Sequence, residues 1–145
     1  MYKRILLAYD GSATGQQALL ECHEIAQWGQ SELTLIAVMP LPLTAIGPDG
    51  GVYCEQLQES EKKQYQTILD AGVSKLSEVG LKSRGELVIG DAVTEIVRHA
   101  RVIEADLIVV GHKHLDGWAA RWWRGSVSKA LIELASCSVL VVITR

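Results

Sequence analysis

Five short runs of apolar residues, separated by longer stretches in which apolar residues recur every three or four positions, constrain this chain more than any other feature. The runs are Ile5-Leu6-Leu7-Ala8-Tyr9, Leu33-Thr34-Leu35-Ile36-Ala37-Val38, Leu81 to Ile89, Asp106-Leu107-Ile108-Val109-Val110 and Val139-Leu140-Val141-Val142-Ile143. Most are apolar at successive positions, the pattern of parallel strands covered by helices on both faces. Lys82, Ser83, Arg84, Gly85 and Glu86 make the first half of the third run polar, which suits an edge strand.

The intervening stretches read as helices. Ala18, Leu19, Cys22, Ile25 and Ala26 form one stripe, and Ile68, Leu69, Val73, Leu76 and Val79 a second. Val93, Ile96, Val97, Ala100 and Ile103 form a third, and Val127, Leu131 and Leu134 a fourth. Each stripe predicts one buried helix face. Strands alternating with helices imply right-handed crossovers. The expectation is a single Rossmann-like α/β domain over residues 1–145, with a five-stranded parallel sheet in the order 3-2-1-4-5 and helices on both faces. A length of 145 residues suits one core, which buries about 68–70% of the unfolded surface without disulfide or metal staples.

Fourteen Lys and Arg against seventeen Asp and Glu leave a net charge of -3, so no global field recruits nucleic acid or an acidic membrane. The cysteines, Cys22, Cys54 and Cys137, are odd in number and form no Cys-x-x-Cys pair, which argues against a disulfide framework or a zinc module. The apolar stretch after Met1-Tyr2-Lys3-Arg4 is too short for a signal peptide. No window approaches the roughly 20 apolar residues of a membrane span. The chain reads as cytoplasmic.

In an open doubly wound sheet, ligands bind beyond the carboxyl ends of the strands, where the strand order reverses. That rule sets Asp10-Gly11-Ser12 opposite Gly111-His112-Lys113-His114, with Val38 ending the neighbouring strand and Gly125-Ser126 opening the last helix. Gly111 and Gly125 let backbone approach a ligand, and a helix starting near Ser126 offers unpaired N–H groups to an anion. Asp10 is placed to accept hydrogen bonds from a ribose. The same loops also begin and end helices for structural reasons alone. Gly11 and Gly15 make no Gly-x-Gly-x-x-Gly, and nothing reads as a Walker loop. Asp10 alone ends the first strand, without the acidic cluster of a phosphorylated receiver.

Two segments stand outside the alternation: Pro40 to Tyr53, rich in Pro and Gly, and His112 to Arg124, after the fourth strand. Both are expected to be surface loops, the second carrying binding groups.

Ile5-Leu6-Leu7-Ala8-Tyr9-Asp10-Gly11-Ser12 resembles the opening strand and turn of universal stress proteins. Gly90-Asp91-Ala92 with Glu95-Ile96 is similar to the start of their third helix. Asp106 to Gly111 is similar to their fourth strand, and Gly125-Ser126-Val127-Ser128 to the beginning of their last helix. The resemblance runs through the chain in order. It implies a five-stranded parallel α/β domain, a homodimer, in a protein produced under stress; the last strand, Val139 to Ile143, if an edge strand, would find cover by pairing with the same strand of a second subunit, and the resemblance points the same way. It also implies an adenine nucleotide, ATP with or without Mg²⁺, as ligand. Carried over one at a time, Asp10 matches the ribose-contacting acid, Val38 the adenine-contacting position, and Gly111, Gly125 and Ser126 the phosphate-loop positions; Gly11, Ser12, Gly90, His114 and Val127 are expected in the same cofactor-binding site. Members that bind ATP show Gly, two residues, Gly, nine residues, Gly and then Ser or Thr. Here His114 stands at the second glycine, and ten residues separate it from Gly125. A Cβ at that position restricts the backbone, although the ring can donate to an anion.

Bound ATP is expected to act as a regulatory ligand that orders residues 112–124 and changes a surface read by a partner. The alternatives are a dimeric scaffold that binds no nucleotide, and a slow ATPase, for which no catalytic base or Mg²⁺ cluster is evident. Trp118, Trp122 and Trp123, interleaved with Arg121 and Arg124, read as packing or interface residues before a nucleotide lid or a nucleic-acid platform. His112, His114 and Asp116 lack a fourth donor for a metal. His23 and His99 are expected at solvent-facing helix positions, and Cys22 and Cys137 as buried small hydrophobes. Cys54 borders the first loop and is expected to be the more accessible thiol.

Overall fold

The computed structural model describes residues 2–40, 52–113 and 127–144. The strands are β1 (Arg4–Ala8), β2 (Glu32–Met39), β3 (Ser83–Ile89), β4 (Leu107–Lys113) and β5 (Ser138–Thr144). The helices are α1 (Ala13–Gly29), α2 (Val52–Glu78), α3 (Ala92–Val102) and α4 (Val127–Leu134). All strands pair in parallel, in the order β3-β2-β1-β4-β5. The expected fold class and strand order are therefore observed.

Continuous apolar runs become parallel strands because each strand sends alternate residues to opposite helical layers. Ile5, Leu7, Leu35 and Val109 point to α1 and α2, where Ala18, Leu19, Cys22, Leu69 and Leu76 meet them. Leu6, Ile36, Ile108 and Val110 point to α3 and α4, meeting Ile96, Ala100 and Leu131. Burying one such side chain contributes about 1.5–3 kcal/mol, so this two-sided layer is the main stabilising term. β3 and β5 are the edges, and the polar first half of β3 is accounted for by its edge position.

Several boundaries differ from the sequence expectation. β4 continues through His112 and Lys113, because Gly111, His112 and Lys113 pair with Val142, Ile143 and Thr144. These residues are strand rather than the start of a loop. α2 begins at Val52, so Val52, Tyr53 and Cys54 belong to a helix, while residues 41–51 lie outside the described set. Residues 58–64 of α2 carry no apolar side chain, so no stripe announces that part of the helix.

Some burial expectations also fail. Val79 follows the end of α2 and is exposed, as are Val127 and Leu134 at the two ends of α4. Cys22 is fully buried, which pushes its thiol up to about 12. Cys137 is only half-buried. His99 does not simply face solvent, since its Nε2 is buried without a hydrogen-bond partner. Among the described residues, no helix is long and apolar enough to cross a membrane.

Candidate functional site

The chain leaves β1 through Tyr9, whose N–H donates to Ile36 O (3.0 Å) and so keeps the strand end tied to β2. Burial, and then the Asp10 carboxylate, raise the Tyr9 phenol above its usual range, so it stays neutral. Gly11 follows at φ +76°, a left-handed turn that Gly adopts without strain. A Cβ there would lie 2.6 Å from Ile68 Cγ2 of α2. The turn brings Ser12 to the N-cap of α1, where its Oγ accepts from Gly15 N (3.0 Å). Asp10 Oδ1 accepts from Ser12 N (2.9 Å), so the carboxylate is fixed at the mouth of β1.

Across the strand-order reversal, β4 ends against α1 and α4. A Cβ on Gly111 would lie 2.4 Å from Thr14 O. The space left by this glycine is thus used first by the backbone of α1, not only by a ligand. The next residue faces the opposite layer: His112 Nδ1 lies 3.0 Å from Ser128 Oγ, in the first turn of α4. α3 starts from Asp91, whose carboxylate accepts from Thr94 N (3.0 Å) and Thr94 Oγ1 (2.8 Å). The backbone N–H of Thr94, followed by its hydroxyl, holds the Asp91 carboxyl below the usual carboxylate range.

These ends surround a cavity of about 520 Å³. Its β2 and α3 side is apolar, formed by Ile36, Val38, Ala92 and Ile96. Its other side carries Asp10, Ser12 and Thr14 from the start of α1, and Gly111, His112 and Ser128 from β4 and α4. First turns of α1, α3 and α4 all reach it, so partial positive charge from backbone N–H groups converges there. An apolar wall facing a polar end under helix N-termini is suited to a flat, weakly polar group joined to an anion.

Of the residues singled out in the sequence, Asp10, Ser12, Val38, Gly111, His112 and Val127 line this one cavity. Gly11 and Gly90 do not; Gly11 turns the chain, and Gly90 donates its N–H to Met39 O (3.0 Å) at the entrance to α3. His114, Gly125 and Ser126 lie outside the described residues, as do Trp118, Trp122, Trp123 and Asp116. Cys54 falls in α2, with its side chain outside the described set. The described residues contain no cluster of His, Cys, Asp or Glu able to hold a metal.

Sequence reasoning missed the pairing of His112 with Ser128, and the lining roles of Thr14, Tyr65 and Ile96. Ile96 was placed correctly in a buried helix face, but periodicity says which face is buried, not that its first turn borders an opening. No local signal links His112 to Ser128, because the contact depends on how α4 packs against β4.

A model of the "Universal stress protein family" matches residues 1–142. The chain is 30% identical to "Universal stress protein YxiE" of Bacillus subtilis, over 98% of this chain and 99% of that one. A universal stress protein family structure from Burkholderia pseudomallei is 26% identical, with a TM-score of 0.75, covering 97% of this chain and 96% of that one. Three more distant structures of the same fold carry adenine nucleotides. One universal stress protein is in complex with cAMP (22% identity, TM-score 0.73, 99% of this chain and 98% of that one). One from Arabidopsis thaliana has AMP bound (18%, 0.72, 99% and 92%). One from Archaeoglobus fulgidus is in complex with dAMP (21%, 0.64, 97% and 98%). With the family matched along nearly its whole length, the chain belongs to the universal stress protein family.

Proposed function

We propose that this protein is a cytoplasmic, adenine-nucleotide-binding regulatory module of the stress response, with ATP as its ligand. The observation that carries the reading is the ordered polarity of the cavity, apolar at β2 and α3 and polar at the starts of α1 and α4. The adenine ring rests against Ile36, Val38 and Ile96, and Asp10 accepts hydrogen bonds from the ribose hydroxyls. The phosphates lie towards Gly111 and Val127, where Gly125 and Ser126 precede α4 in sequence. Gly11 and Ser12 hold Asp10 in place, and Gly90 sets the start of α3. His114, which stands in sequence at the second glycine of the family pattern, is a side chain able to donate to such an anion. The adenine nucleotides of the related structures support the choice of base.

The regulatory output passes through residues 114–126, which connect β4 to α4 and therefore the two elements bordering the phosphates. In this reading the bound nucleotide acts as a signal rather than as a substrate. The protein acts as a homodimer through β5, an edge strand with exposed Ile143.

A ligand at 100 times its dissociation constant stabilises the folded state by about 2.7 kcal/mol, a rise of several degrees in Tm at this size. ATP with Mg²⁺ is expected to produce that rise, and Asp10→Ala to reduce it. A flat thermal shift with millimolar ATP and AMP, and no nucleotide co-purifying, would instead assign the chain as a scaffold. Phosphate released above background, and lost in Asp10→Ala, would assign a slow ATPase.

A further inference from the structure

We infer that the groove between α1 and α2 is a docking site for an amphipathic helix of a partner protein, one whose apolar stripe is flanked by Lys and Arg. The groove, about 310 Å³, lies on the layer of the sheet opposite α4, and none of its lining residues belongs to the cavity described above. Its floor is Leu19 and Leu76, both buried. Its rims are Leu20 of α1, 61% exposed, and Val79 just past α2, 51% exposed. Large apolar side chains left in solvent on both sides of one groove mark a surface that a partner covers.

The groove is held in shape in advance. Gln16 Oε1 accepts from Lys75 Nζ (2.9 Å), which ties α1 to α2 at one end. Gln16 Nε2 donates to Gly11 O (3.2 Å), which fixes the same side chain to the turn after β1. A preformed groove spares a partner the cost of ordering it.

Shape selects a helix. From Gln16 to His23 the groove follows α1 for about 10 Å, two turns at about 1.5 Å per residue. Its walls are helices whose backbone groups bond within themselves, so an extended segment finds no ladder for its own N–H and C=O groups. A helix arrives with those bonds made and offers apolar side chains at i, i+4 and i+7. The volume stands at the lower limit of small-molecule sites, about 300–1,000 Å³, and both rims are in solvent. Such a groove takes the anchoring side chains of a helix rather than enclosing a ligand.

Charge selects the flanks. α1 contains Glu21 and Glu24 and no Lys or Arg in its 17 residues. On the α2 side Glu78 lines the groove, and Lys75, the one Lys or Arg among the described lining residues, is bonded to Gln16. Both helices cross between parallel strands, so they run in the same direction and their C-terminal ends, which carry partial negative charge, share the His23 end of the groove. The last turn of α1 has no basic residue to offset that charge. Basic side chains of the partner are drawn to this end, towards Glu24 and Glu78.

The test uses the full chain and three fluorescently labelled helical peptides of about 14 residues. The first carries Leu at i, i+4 and i+7 with Lys beside them, the second Glu in place of Lys, and the third Ala in place of Leu. Anisotropy titrations are expected to show micromolar binding of the first and at least about tenfold weaker binding of the other two. Binding of the first is expected to weaken as salt rises from about 0.05 to 0.5 M. Amide chemical shifts are expected to move at residues 16–23 and 75–79 and to stay fixed at Val38 and Ile96. Leu20→Gln keeps the net charge and replaces an exposed side chain, and it is expected to weaken the first peptide at least about tenfold at unchanged Tm.

Equal binding of the Lys and Glu peptides, affinity unaltered in Leu20→Gln, or shifts centred elsewhere would overturn the inference. So would no binding of the first peptide at millimolar concentration. A fall in oligomeric mass in Leu20→Gln, read by sedimentation equilibrium, overturns it as well, by assigning the groove to a second copy of this chain. The peptide comparison is made on the wild type, so it decides the matter even where the variant folds poorly.

Discussion

Gly111 shows how one residue can be read correctly for position and incompletely for cause. At the end of a strand facing the strand-order reversal, a glycine suggests close approach of a ligand, and Gly111 does line the cavity. Its nearest constraint, however, is the carbonyl of Thr14, 2.4 Å from where a Cβ would stand. Backbone cannot rotate out of the way, so Gly111→Ala must push α1 off β4. The expected loss is about 1–3 kcal/mol, as for other overpacked sites, seen as a lower denaturant midpoint with an unchanged m-value. An alanine variant as stable as wild type would show that α1 moves freely at this end. Asp10 and Val38 were legible because the ends of parallel strands are where such sheets bind ligands. The pairing of His112 with Ser128 was not, since it depends on the rotation of α4, which sequence periodicity leaves free.

Elements were legible where an apolar stripe faces the sheet, and illegible where it stops. α3 is the clear case: Val93, Ile96, Val97 and Ala100 repeat at helical spacing, and the observed helix is Ala92–Val102. The polar half of α2 gave no stripe, so only its second half was anticipated. β4 was cut short because Gly111 and His112 look like a loop, whereas pairing with β5 carries the strand to Lys113. The cap of α3 yields a prediction. Thr94 N–H and hydroxyl lower the Asp91 carboxyl below its ordinary range, so the folded state binds that proton less tightly than the unfolded chain. The stabilisation is present above the unfolded carboxylate range, near about pH 4, and fades as pH falls through the lowered folded value. Asp91→Ala is therefore expected to melt below wild type at pH 7, with the gap narrowing in acid below about pH 4. A gap that stays constant into acid would mean that the carboxylate contributes nothing through its charge.

At the scale of the whole molecule the fold was almost fully legible, including the order of its strands, because continuous apolar runs, helical crossovers and one reversal leave few alternatives. What a single chain cannot settle by itself is its edge. β5 closes the sheet on one side with Ile143 59% exposed, and α4, on the same side of the molecule, exposes Ile132 (62%) and Leu134 (57%). An uncovered edge strand with apolar side chains is a template for pairing with another chain, and a two-fold axis lets the same strand cover itself. Sedimentation equilibrium is expected to give twice the chain mass at micromolar concentration. Ile143→Lys, which sets like charges against each other across such an axis, is expected to raise the dimer dissociation constant by at least about tenfold, a loss of roughly 1.4 kcal/mol. Its far-UV circular dichroism should match wild type, because Ile143 lies outside the buried layer between sheet and helices. A wild-type protein that sediments as a monomer, or an Ile143→Lys variant that remains fully dimeric, would place the contact elsewhere and leave β5 as a free edge.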